Sequence, residues 1–368
     1  MPPATVSVEV PGSSYLVYVA AGLLGAAGEH LRSASDAGRA AVVTDERVAG
    51  LYLPLVSDSL RASNFDVSPV VIPSGEASKT WSRAGRTLDA LAAAGLDRSD
   101  IVVALGGGVV GDLAGFCAAA YLRGIDFAQF PTTLLAQVDS SVGGKTGVDL
   151  AAGKNLAGAF KQPLIVLADT DTLDSLSQAE WASGLAEVAK VAILESEARF
   201  LWAEANAGAL STRQAPAVQE AVRTSVAFKA GVVAADERES GLRECLNYGH
   251  TLGHAIEKVV GYGTVPHGIA VAEGIRFAAR LAVDACGATA DLAERQERLL
   301  DAFEIPRVRL SVDPIELREA MSADKKARDG VPRFVLVTRP GDFTVRSVDE
   351  DLLEIHLQRF SAELGERG

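Results

Sequence analysis

The alternation in the first half of the chain constrains the fold more than any other feature. Short β-branched and apolar runs at 39–44, 66–72, 101–105 and 164–168 are separated by stretches with Leu and Ala at three-to-four spacing, as at 46–62 and 80–94. Apolar runs of this length belong to strands covered on both faces, and strand–helix alternation builds a mostly parallel sheet between helical layers. From about residue 180 the pattern changes. Ala-, Glu- and Leu-rich segments at 180–194, 216–235 and 270–286 predict helices, with one late hairpin from 333–338 and 343–345 around Pro340-Gly341-Asp342. The expectation is an α/β N-terminal domain over 1–178 and an all-helical C-terminal domain over 179–368.

Charge narrows the partners. The 368 residues carry 35 Lys and Arg against 48 Asp and Glu, a formal net charge of −13. That excess argues against nucleic acid and against an anionic membrane surface. Cys117, Cys245 and Cys286 are far apart and fit reduced thiols better than a disulfide framework. Met1-Pro2-Pro3-Ala4 lacks the pattern of a secretory signal, and Asp112 and Arg123 interrupt the most apolar stretch. The expectation is a cytoplasmic protein with no membrane span.

Three features of the first half suggest ligand chemistry. Leu105-Gly106-Gly107-Gly108-Val109-Val110-Gly111-Asp112 follows a predicted strand and opens a predicted helix, where glycines admit a pyrophosphate and helix-start amides bind its oxygens. It is not the GxGxxG fingerprint, and as a plain turn it needs no ligand. Pro131-Thr132-Thr133 offers two hydroxyls after another strand, or a routine helix cap. Gly143-Gly144-Lys145-Thr146-Gly147 and Gly153-Lys154-Asn155 read as loops carrying cations, or as solvated surface lysines. Asp139 stands where a P-loop needs its first glycine, which excludes a nucleoside triphosphatase of that type.

The helical half holds the metal candidates. Of five histidines, His250, His254 and His267 lie close together, with His250 and His254 spaced to share a helix face. A divalent ion needs an acidic partner, for which Glu187, Glu257 and Glu273 are candidates. Glu187 sits among apolar residues with Lys190 one turn on, an unusual setting for a carboxylate. Lys229, Arg243 and the Lys325-Lys326 pair are solvated cations or, if they converge, a site for a small dianion.

Residues 106–160, 184–190 and 241–267 together resemble the 3-dehydroquinate synthases of the sugar-phosphate cyclase superfamily, and the resemblance extends over about 39–337. It implies a Rossmann-like NAD-binding domain, a helical metal- and substrate-binding domain, and an active site in the cleft between them. Zinc, or cobalt, is implied on Glu187, His250 and His267. NAD contacts are implied at Asp45, Ser74, Gly75, Glu76, Lys79, Gly107, Gly108, Val109, Val110, Gly111, Asp112, Thr132, Thr133, Lys145, Lys154 and Thr172. Substrate contacts are implied at Asp139, Lys145, Lys154, Asn155, Lys190, Lys229, Arg243, Asn247, His254, Lys325 and Lys326, and at Arg123 across a homodimer interface. Of these, Lys145, Lys190, His254, Asn155 and Arg243 are the implied catalytic residues.

The substrate implied is a phosphorylated sugar acid, 3-deoxy-D-arabino-heptulosonate 7-phosphate. The implied sequence is transient oxidation by NAD, β-elimination of phosphate, return of the hydride, ring opening and aldol closure. The chain departs from the family pattern at Ile269, where many relatives carry Glu, and at Asp149, where Asn is usual. Three alternatives remain: a sibling cyclase of the amino-dehydroquinate, inosose or valiolone type, a metal-dependent polyol dehydrogenase, and an inactive NAD-sensing scaffold.

Overall fold

The computed structural model describes residues 3–323 and 330–367. Lys325 and Lys326 lie outside the described residues. The chain divides into two compact units, one comprising Met1–Leu176 with Gln219–Glu237, the other Ser177–Val218 with Arg238–Gly368. Residues 219–237, which the sequence pattern assigns to the C-terminal domain, group with the first unit.

Among the described residues, the first unit holds nine strands. These are β1 (Ala4–Val10), β2 (Ser13–Ala20), β3 (Arg39–Asp45), β4 (Asp66–Ile72), β5 (Ile101–Gly106), β6 (Asp126–Pro131), β7 (Lys145–Leu150), β8 (Gly153–Phe160) and β9 (Ile165–Asp169). Seven form one sheet in the order β1-β2-β9-β6-β5-β3-β4, parallel except for the β1–β2 pair. Helices α1 (Ala27–Ala34), α2 (Glu46–Ala62), α3 (Trp81–Ala93) and α4 (Gly108–Ala120) cover it.

Residues of β3 alternate between two cores. Ala40 and Val42 pack with Leu31 of α1 and with Val56 and Leu60 of α2, whereas Ala41 and Val43 pack with Leu91 of α3 and with Leu113 and Ala114 of α4. Each such large apolar side chain contributes about 1.5–3 kcal/mol on burial, which is why both faces of these strands read as apolar. The chain passes from β3 through α2 to β4, then returns through α3 to β5 on the other side of β3. The connections therefore diverge at the carboxyl ends of β3 and β5, where open α/β sheets bind ligands.

Two hairpins differ from the sequence expectation. β1 and β2 were not anticipated, and the expected Gly-Gly-Lys-Thr and Gly-Lys-Asn loops are instead ends of the antiparallel β7–β8 pair. A Cβ on Gly147 would come within 2.8 Å of the Ala157 carbonyl oxygen, so the two strands meet at this spacing only through glycine. On α4, a Cβ at Gly115 would collide with Thr146 Cγ2 of β7 and come within 3.1 Å of the Phe127 ring of β6, so α4 packs on the hairpin at this small face.

The second unit contains α5 (Gln178–Glu195), α6 (Glu197–Ala205), α7 (Ala207–Ser211), the start of α8 (Ala215–Ala235), α9 (His250–Val259), α10 (His267–Cys286), α11 (Ala290–Ala302), α12 (Pro314–Ser322) and α13 (Glu350–Arg367). It also holds the anticipated hairpin, β10 (Phe334–Arg339) with β11 (Asp342–Arg346). α5 opens with a capping box, in which Ser177 and Glu180 satisfy each other's backbone amides, and then runs buried from Trp181 to Leu194. No helix among the described residues is long and apolar enough to cross a membrane.

Glycines bring α5, α9 and α10 together. A Cβ on Gly253 of α9 would lie 3.1 Å from the Val271 backbone nitrogen of α10, and one on Gly268 would collide with the Ser183 backbone of α5. Gly249 takes a positive φ of 81° immediately before α9, a conformation that costs other residues energy.

Candidate active site

In the first unit, most of the residues expected to bind NAD lie at the carboxyl ends of the sheet strands, whereas Lys145 and Lys154 lie on the separate β7–β8 pair. Asp45 ends β3, Ser74 and Gly75 follow β4, Gly107 and Gly108 follow β5, Thr132 and Thr133 follow β6, and Thr172 follows β9. These are five neighbouring parallel strands. The Asp45 carboxylate caps α2 by accepting from the amides of Arg47 at 2.9 Å and Val48 at 3.1 Å, and Ser74 Oγ donates to it at 2.7 Å. α4 starts on Gly107 with no side-chain cap. Its leading amides and positive dipole end suit a pyrophosphate. A Cβ on Gly107 would approach Thr133 Cγ2 to 3.1 Å, and one on Gly111 would approach Gln129 Oε1 to 2.7 Å, so glycine sets the spacing of this turn.

Charged residues of this unit are paired with one another. Lys79 Nζ meets the Asp112 carboxylate, Lys154 Nζ lies 3.3 Å from Glu76, and Lys229 Nζ donates to the Asp139 carbonyl at 2.7 Å and to its carboxylate. Burial works against the Lys79 ammonium, yet Asp112, Glu76 and Asp149 together hold its pKa above the usual value of 10.5. Asp149 accepts from the Asn155 amide at 2.8 Å and closes the β7–β8 turn, in which Asn155 takes a φ of 54°. Lys145, at the start of β7, is exposed. Arg123, with a φ of 69° in the turn after α4, is also exposed. Burial pushes the Cys117 thiol up to about 12, so it is held as an inert thiol.

In the second unit, Glu187, His250 and His267 bring one potential ligand atom each within 4.8 Å of one another. Glu187 is 1% exposed, and neither of its carboxylate oxygens has a hydrogen-bond partner among the described residues. It forms an ion pair with the equally buried Lys190, and His250 Nε2 lies 3.8 Å away. A buried carboxylate whose oxygens accept no hydrogen bond is costly, and a divalent cation would supply the missing partner. This donor set, two imidazoles and a carboxylate, is that of open catalytic zinc sites, so the residues present fit the expected ion.

The remaining candidates separate clearly. The Nδ1 atom of His250 lies 3.1 Å from the Tyr248 carbonyl, while that of His267 lies 3.0 Å from Glu257 Oε2. Glu257 is thus beside a candidate ligand histidine and, with His254 and His267, forms a second possible metal triad. Glu273 accepts from the Val308 amide at 3.0 Å and sits 3.7 Å from Arg276, so it belongs to a different cluster. His254 stacks edge-on to His250 with ring centroids 5.4 Å apart. Arg243 is 2% exposed, and Asn247 Nδ2 donates to Glu239 at 2.7 Å. Glu239 was not anticipated; it sits in the charge run 236–239, which reads as solvated surface.

Known proteins resemble this chain along both of its halves. Residues 69–183 match the family described as 3-dehydroquinate synthase N-terminal, and residues 184–327 match 3-dehydroquinate synthase C-terminal. A 3-dehydroquinate synthase of Paracoccus denitrificans is 45% identical over 95% of this chain and 97% of its own length. Among solved structures, 2-epi-5-epi-valiolone synthase from Streptomyces hygroscopicus, with NAD+ and Zn2+ bound, aligns at a TM-score of 0.86 and 27% identity over 98% of this chain and 99% of that one. A 2-deoxy-scyllo-inosose synthase complexed with carbaglucose-6-phosphate, NAD+ and Co2+ has the same fold, at a TM-score of 0.89 and 23% identity over 97% of this chain and 100% of that one. With both halves matched in order and the identity sustained over nearly the whole length, the chain belongs to the 3-dehydroquinate synthase family.

Proposed function

We propose that the chain converts 3-deoxy-D-arabino-heptulosonate 7-phosphate to 3-dehydroquinate and inorganic phosphate, using NAD and a divalent metal, as a cytoplasmic homodimer. The single observation that carries this reading is the Glu187 carboxylate, buried and unbonded within a two-histidine cluster, in a chain matched along both halves to 3-dehydroquinate synthase. When bound, the metal polarises substrate hydroxyls, and NAD accepts and then returns a hydride.

The chain's own residues bind, orient and move protons. The amides opening α4 and the hydroxyls of Thr132 and Thr133 hold the cofactor pyrophosphate at the strand ends, with Asp45, Ser74, Gly75, Glu76, Lys79, Asp112, Lys154 and Thr172 around it. Glu187, His250 and His267 hold the ion, and Lys190 offsets part of the local negative charge. Lys145, Lys154, Asn155, Asp139, Lys229, Lys190, Arg243 and Asn247 are the residues that the family reading assigns to the substrate's phosphate, carboxylate and hydroxyls. The His254 imidazole, outside the assigned ligand set, moves protons. Arg123, exposed on a strained turn, reaches the phosphate of a partner's substrate. The domain division near 178 follows from the same reading, with the NAD half first.

Phosphate release from the heptulosonate phosphate with catalytic NAD, abolished by chelation, is the expected result. Stoichiometric NADH accumulation overturns it in favour of a polyol dehydrogenase. Turnover of a sugar phosphate that lacks the carboxylate, in preference to the heptulosonate, favours a sibling cyclase. Sedimentation of the purified protein tests the dimer.

A further inference from the structure

We propose that Glu257 is a positioning residue of the metal site, which sets the tautomer and donor strength of His267 without itself binding the ion; this rests on the assignment of Glu187, His250 and His267 as ligands. Glu257 lies seven residues after His250 and three after His254, on the same face of α9, and is 3% exposed. Its Oε2 is 3.0 Å from His267 Nδ1, at the first turn of α10. An imidazole that donates from Nδ1 to a carboxylate keeps its Nε2 lone pair for a metal and becomes a stronger donor. That hydrogen bond occupies the His267 atom nearest Glu257, which favours the Glu187 triad over the one containing Glu257.

The two ligand histidines are therefore held differently. His250 Nδ1 faces a neutral backbone carbonyl, and His267 Nδ1 faces a carboxylate. His267 also begins its helix, where the backbone is fixed by the Gly268 amide donating 2.8 Å to Ser183 Oγ of α5. The ring is thus oriented from both its main chain and its far nitrogen.

The test is Co2+ titration of metal-free parent, Glu257→Gln, Glu257→Asp and Glu187→Gln proteins, with the visible absorption of the bound ion and the unfolding midpoint of each metal-free protein. Glu257→Gln is expected to bind Co2+ about 10–100-fold more weakly with its coordination number unchanged, and Glu257→Asp to recover part of the loss. The midpoint of metal-free Glu257→Gln is expected to match the parent. Parental affinity in Glu257→Gln, or a coordination number lowered by one, overturns the proposal. If Glu187→Gln binds Co2+ as the parent does, it is the ligand assignment that fails.

Discussion

The two units pair their buried charges alike but differ in how the carboxylates are hydrogen-bonded. In the first, Lys79 is matched by Asp112, Lys154 by Glu76, and Lys229 by Asp139. In the second, Glu187 is as buried as any core side chain, yet both carboxylate oxygens lack a hydrogen bond. A site that receives a nucleotide on backbone amides and hydroxyls can keep its charges internally compensated. A site that receives a divalent ion keeps carboxylate oxygens without hydrogen-bond donors, so that beside the Lys190 ammonium they remain open to the metal.

The largest expected effect breaks the second unit's side of the contrast. Glu187→Gln removes the anionic member of the donor set, and loss of about 4 kcal/mol of transition-state stabilisation, roughly a 10³-fold fall in kcat/KM, is expected with loss of metal by elemental analysis. Metal-free Glu187→Gln also leaves the buried Lys190 ammonium without its carboxylate and should be less stable to urea than the metal-free parent, a loss that Glu187→Gln combined with Lys190→Met should reduce.

On the first unit's side, Lys79→Met leaves Asp112 without its cation, and a loss of about 3 kcal/mol in denaturant unfolding is expected. The pH dependence follows from the raised Lys79 pKa. A group whose pKa is higher in the folded state stabilises fully below its ordinary value of 10.5 and loses that contribution as pH rises through the folded value. Parent stability should therefore fall more steeply above about pH 10 than that of Lys79→Met.

Smaller effects test how each site is spaced. Gly268→Ala drives a Cβ into the Ser183 backbone and should cost about 1–3 kcal/mol in urea unfolding while weakening metal binding. Asp45→Ala removes the α2 cap and should cost about 1 kcal/mol, with metal affinity unchanged.

Much of this was legible in the sequence. The parallel strands, the glycine turn after β5, the helical second half and the late hairpin all follow from local periodicity and turn residues. The β7–β8 hairpin was not, because Lys145–Leu150 and Gly153–Phe160 pair through facing glycines and dock on α4, a contact that no local pattern encodes. Glu239 was hidden for a related reason, since a charge run looks the same whether or not one member turns to a half-buried asparagine.

By itself, the sequence determined which faces are apolar, where a phosphate-sized ligand can meet a helix start, and that His250 and His254 share one side of a helix, because these depend on backbone geometry over a few residues. Among Glu187, Glu257 and Glu273 it could not choose from spacing. The tertiary structure assigned each a different environment: unbonded beside His250, hydrogen-bonded to His267, and satisfied by the Val308 amide. Whether a buried carboxylate is satisfied depends on which donors distant helices bring to it, and glycine-mediated contacts among α5, α9 and α10 decide that.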